Sequence, residues 1–160
     1  MNDLDPILLA EDDETDVLLL ERALKEAGIP NPLRVVVDGQ EAVDYLSALQ
    51  HAPSPGDRSP ALLILDLKMP RMTGLDVLGW VRAQPGLACL PVMMFSSSSH
   101  QLDIERAYAL GANAFVVKAP STSERIEFAR FIKSWLHFNQ RPMACTEGIR
   151  AAHAHHAPKT

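Results

Sequence analysis

Short apolar runs that alternate with longer stretches of helical period constrain this chain more than any other feature. Ile7–Ala10, Leu33–Val37, Ala61–Leu65, Val92–Phe95 and Ala114–Val117 read as strands. The first ends in a burst of acid. Ala61–Leu65 is continuously apolar, as a central strand buried on both faces should be. Between them, 15–27, 41–49, 73–81, 100–110 and 121–138 read as helices. In the first, Val17, Leu20, Leu24 and Ala27 share one face, and Gly28, Pro30 and Pro32 stop it. Thr73-Gly74-Leu75-Asp76 resembles a capping box with Asp in place of Glu. His51–Pro60, rich in proline, reads as a loop. Five strands, each followed by a helix, imply an α/β domain: a doubly wound five-stranded parallel sheet with helices on both faces.

In such a sheet, ligands bind beyond the carboxyl ends of the strands. Those positions hold Glu11-Asp12-Asp13, Asp38, Asp66, Ser96 and Lys118. Asp38, before Gly39, reads as a turn residue, and Asp13 and Glu14 as a helix start where negative charge suits the dipole. The other residues form a chemical set. Clustered carboxylates repel unless one is protonated or a cation lies between them. Mg2+ favours oxygen ligands, commonly one or two carboxylates with water and phosphate oxygens. Asp12 and Asp66, with Glu11 acting through water, would supply them. A carboxylate can attack phosphorus, Lys118 can pair with a phosphate oxygen, and the Ser96 hydroxyl can donate to another. Phosphoryl transfer asks mainly for such positioning and charge neutralisation.

Here the chain resembles the receiver domain of two-component response regulators, a flavodoxin-like fold. The resemblance rests on Ile7–Asp13, Leu63–Pro70, Thr73-Gly74, Pro91–Ser96, Gly111-Ala112 and Val117-Lys118, and spans about residues 6 to 139. It implies that Asp66 is the phosphoacceptor and that Glu11 and Asp12 are the acidic pair. The backbone carbonyl of Lys68 would complete the protein ligands of Mg2+ or Mn2+. Ser96 would be the switch hydroxyl and Lys118 the phosphate-pairing lysine. Phe115 would be the switch aromatic, though a strand phenylalanine is more simply core. Lys68 and Ser98 occupy positions that tune autodephosphorylation. The chain departs from the family at Lys118-Ala119-Pro120, where proline comes one place late, and in the length of the His51–Pro60 loop.

The resemblance also implies a histidine kinase as partner. The long second loop and the Trp135-Leu136 ending resemble stand-alone regulators paired with phytochrome-type kinases. The expected organisation is a receiver domain over 1–140 and a flexible tail over 141–160, without an output domain, so that output is protein contact or phosphorelay. In the last helix Phe128, Phe131, Ile132 and Trp135 follow a core period. Ile126, Leu136 and Phe138 widen the apolar surface, either as a bulky core or as part of a homodimer interface.

Other classes are weaker. The net charge of -5 argues against broad nucleic-acid binding. No apolar run is long enough to span a membrane, and the acidic N-terminus lacks signal-peptide character. Cys89 and Cys145 lack metal-site spacing and read as isolated thiols in a reducing, cytoplasmic setting. A haloacid-dehalogenase-type phosphohydrolase would want Asp at position 68, which is lysine, and nucleotide-binding glycine motifs are absent. A degenerate receiver acting only as a docking module is opposed by Asp12, Asp66 and Lys118.

Overall fold

The computed structural model describes residues 4–142. The apolar runs form β1 (Ile7–Ala10), β2 (Leu33–Val36), β3 (Leu62–Leu65), β4 (Val92–Ser96) and β5 (Ala114–Val117). All pair in parallel, in the order β2-β1-β3-β4-β5. The helices are α1 (Glu14–Glu26), α2 (Gly39–His51), α3 (Gly74–Ala83), α4 (Gln101–Ala109) and α5 (Thr122–Phe138), with a 3-10 turn at Pro85–Leu87 that the sequence pattern did not suggest. The doubly wound expectation holds, with element ends moved by one or two residues.

Successive strand side chains point to opposite faces, and the strands separate two cores accordingly. Leu8, Ala10, Leu63, Leu65, Val92 and Met94 face α2, α3 and α4. Ile7, Leu9, Leu62, Ile64, Met93 and Phe95 face α1 and α5. This explains why β1, β3 and β4 are apolar without alternation: each is fully buried.

Local chemistry sets the helix ends. Asp13 caps α1 by accepting from the Asp16 amide at 3.0 Å. At its other end, Gly28 takes φ 69. Its amide donates to Lys25 O and that of Ile29 to Leu24 O, the paired bonds of a Schellman motif. Gly111 ends α4 the same way, through its own amide to Tyr108 O and Ala112 to Ala107 O. The Thr73–Asp76 capping box is complete, each side chain accepting from the other residue's amide.

Two expectations need correction. Phe131 does not share the core face of α5. The buried stripe runs through Arg125, Ala129 and Ile132, which leaves Phe131 46% and Phe138 76% exposed. Phe128, Trp135, Ile126 and Leu136 do pack against the core. Cys89 is half-buried rather than fully buried. Cys145 and the tail histidines His153, His155 and His156 lie outside the described residues. Arg141 is held to the body, donating to Pro60 O at 2.8 Å and to Asp5 at 2.6 Å.

Candidate functional site

Strand register assembles the site. Ala10 lies opposite Leu65, and the Asp66 amide donates to Ala10 O, so Glu11, Asp12 and Asp66 leave adjacent strands together. This is where the strand order reverses, since β1 separates β2 from β3. Ser96 lies opposite Val117, and the Lys118 amide donates to Ser96 O at 2.8 Å. That register brings Lys118 to the same edge.

Ligand oxygens of Glu11, Asp12 and Asp66 lie within 4.8 Å of one another. Glu11 and Asp66 are buried and Asp12 is exposed. The Lys118 ammonium approaches Glu11 Oε2 at 2.6 Å, Asp16 Oδ2 at 2.8 Å and Asp66 Oδ1 at 3.6 Å. It also lies 5.7 Å from the centre of the Phe95 ring. Arg125 donates to Asp16 Oδ1 at 3.2 Å. Four carboxylates thus surround two cationic groups, a surplus of two negative charges that a divalent cation matches. The all-oxygen donor set suits Mg2+ or Mn2+.

The ionisation of these groups follows from burial and pairing. Burial raises Glu11 above the usual carboxylate range, although Lys118 and the Asp13 amide oppose it. Burial likewise raises Asp66, helped by the charge of Asp12 and opposed by Lys118 and the Leu67 amide. Burial pushes Lys118 down, but its bonds to Asp16 and Glu11 and the charge of Asp66 outweigh that, and the net shift is upward. Asp16 is lowered because Lys118 and Arg125 together outweigh its own desolvation.

The remaining predicted residues fall around this centre. Ser96 is buried at the end of β4, and its Oγ accepts from the Ser98 amide at 3.2 Å. Ser98 is itself buried and donates to Asp103 at 2.7 Å, so the four-serine run is ordered at its first and third positions. Phe115 is half-buried and packs against the α2–α3–α4 core. Lys68 is exposed. The late proline does not keep Lys118 from the carboxylates, and no cis peptide occurs among the described residues.

Asp38 is more than a turn residue. It is buried, caps α2 through the Glu41 amide at 2.8 Å, and accepts from Arg71 Nε and Nη2 at 2.8 and 2.5 Å. Arg71 has φ 64, a left-handed conformation rare for arginine. The pair ties the loop after Asp66 to the end of β2. A concavity of about 640 Å3 lies elsewhere, lined by Ile29, Leu136 and Phe138 among others.

Asp16 and Arg125 were missed by sequence reasoning. A signal existed. Asp16 precedes Leu20, Ala23 and Ala27, and Arg125 precedes Ala129 and Ile132, each at the helical spacing of a buried stripe. One charge on each stripe, of opposite sign, marks a pair.

The sequence and the fold are similar to those of known proteins. The model of the response regulator receiver domain family matches residues 7–129. The response regulator Rcp1 of Synechocystis sp. is 30% identical over 139 residues, 86% of this chain and 93% of the relative. Its Mn2+-bound crystal structure superposes with TM-score 0.76 at 28% identity, covering 87% of this chain and 99% of that one. Response regulator RPA3017, of red light signalling in R. palustris, gives TM-score 0.78 at 32% identity, with 87% and 99% covered. The bacteriophytochrome response regulator AtBRR gives TM-score 0.66 at 41% identity, with 79% and 89% covered.

Proposed function

The chain belongs to the response regulator receiver domain family, and from that premise we propose that Asp66 is its phosphoacceptor. The observation that carries this reading is Asp66 itself: a buried carboxylate beside two further acids and within 3.6 Å of a lysine ammonium. Its carboxylate attacks the phosphorus of a phosphohistidine on a partner kinase. The P–N bond breaks as the O–P bond forms, and the departing imidazole takes a proton from solvent. The Lys118 ammonium neutralises one phosphoryl oxygen. The Ser96 hydroxyl donates to another, and Phe115 adjusts its packing with Ser96. Glu11, Asp12, Asp66 and the carbonyl of Lys68 would hold Mg2+, which when bound neutralises charge on the incoming group.

The domain is a signalling module, and self-phosphorylation and autodephosphorylation are its only chemistry in this reading. Nothing in the comparisons supports a phosphohydrolase, and Lys68 stands where such an enzyme needs its second aspartate. In this reading the receiver unit spans residues 1–140. The kinase is of the phytochrome type, since RPA3017 and AtBRR work in red-light and bacteriophytochrome signalling. We place the protein in the cytoplasm, where that kinase domain acts, and no described helix is long and apolar enough to cross a membrane. The exposed Phe131, Val117 and Tyr108 form part of a homodimer surface.

Incubation with acetyl phosphate and Mg2+ tests the chemistry. Mass spectrometry is expected to show one phosphoryl adduct in the native protein and none in Asp66→Asn. Turnover of many phosphate esters would favour a hydrolase, and metal binding without an adduct would favour a docking module.

A further inference from the structure

The guanidinium of Arg125 is only partly used. The residue is 8% exposed, and Nη2 donates to Asp16 Oδ1 at 3.2 Å. Nε and Nη1 are buried with no hydrogen-bond partner. Leaving donors of a buried cation unmatched is costly. The Lys118 ammonium presents the opposite case. It has three donors and already faces three carboxylates, those of Glu11, Asp16 and Asp66. Its hydrogen bond goes to Asp16 Oδ2, and it is closer to Asp16 than to Asp66.

We infer that Asp16 is the resting partner of Lys118 and that Arg125 takes over Asp16 when Lys118 turns to a phosphoryl group. The inference rests on Asp66 as acceptor. Asp16 divides its two oxygens, Oδ1 to Arg125 and Oδ2 to Lys118. Departure of Lys118 strands Oδ2 in a partly buried place. A guanidinium already bonded to Oδ1, with idle neighbouring nitrogens, can close a bidentate fork on both oxygens. No covalent bond changes. The exchange moves one ion pair from the phosphoryl pocket to the contact between α1 and α5. Asp16 and Arg125 are therefore positioning residues: one sets the cost of releasing Lys118, the other offsets it. Phosphorylation would tighten the α1–α5 contact and so be felt on the helix that carries the exposed Phe131.

The test measures beryllofluoride affinity, in the presence of Mg2+, by isothermal titration of the full chain. Asp16→Asn removes the competing charge and is expected to tighten binding about five- to thirtyfold. Arg125→Met leaves Asp16 without its second partner and is expected to weaken binding by a similar factor. Combined with Asp16→Asn, the Arg125 change should lose its effect. General damage to the fold would weaken binding in both single variants, so opposite signs exclude it. In parallel, the Lys118 ammonium is followed by proton–nitrogen NMR in metal-free protein, assigned by its loss in Lys118→Arg. Its proton exchange should accelerate in Asp16→Asn. Unchanged or weaker binding by Asp16→Asn, or an Arg125→Met effect that persists without the Asp16 charge, overturns the exchange. A Lys118 signal indifferent to Asp16→Asn overturns the resting pair. Failure of the native protein to bind beryllofluoride would remove the acceptor reading of Asp66 and the exchange with it.

Discussion

Asp66 bears a conflict between function and stability. Its carboxyl is raised by burial, so the folded state binds a proton more readily than the unfolded state does. Above that raised value the ionised carboxylate opposes folding. Asp66→Asn is therefore expected to stabilise the metal-free protein at pH 7 by about 1 kcal/mol, a few degrees in Tm. Added Mg2+ should raise Tm clearly in the native protein and little in the variant, as thermal melts with EDTA or Mg2+ will show. Asp16 has the reverse sign. Its lowered value means its contribution is fully present above the ordinary aspartate range, near pH 4, and is lost as pH falls through the lower folded value. Urea unfolding should place Asp16→Asn about 1–2 kcal/mol below the native protein at pH 6. The gap should narrow on acidification below pH 4.

The elements around the site are fixed by close approaches that leave no room for a methyl group. A Cβ built on Gly74 would overlap the carbonyl oxygen of Asp66, and one on Gly39 would overlap that of Met72. The start of α3 thus lies directly on the backbone of the acceptor residue, with the Thr73–Asp76 box closing its end. Gly74→Ala is expected to cost about 1–3 kcal/mol in urea unfolding, because strand and helix must separate. The Thr73–Asp76 box was readable as a pattern, and so was the core face of α1. Their spacing is local. The need for glycine at 39 and 74 was not, because the atoms that exclude a side chain belong to segments well away along the chain.

At the scale of the molecule, the same sheet divides its labour between faces. α1 and α5 share the face that receives the Asp16–Arg125 pair, and the outer side of α5 carries the exposed Phe131. If that surface pairs two copies, analytical ultracentrifugation with Mg2+ and beryllofluoride should give a dimer that Phe131→Glu reduces to a monomer. A native protein that stays monomeric at high concentration, with and without the mimic, would dispose of the dimer.

From the linear order of residues alone came the strand count, the parallel winding and the acids, hydroxyl and lysine at the strand ends. Each is written in hydrophobic period or in a position next to a strand. Folding alone decided which three carboxylates surround Lys118, that Asp38 clamps Arg71, and that Phe131 faces outward rather than in. Those outcomes depend on helix rotation and on register between distant segments, and neither is encoded at a fixed spacing along the chain.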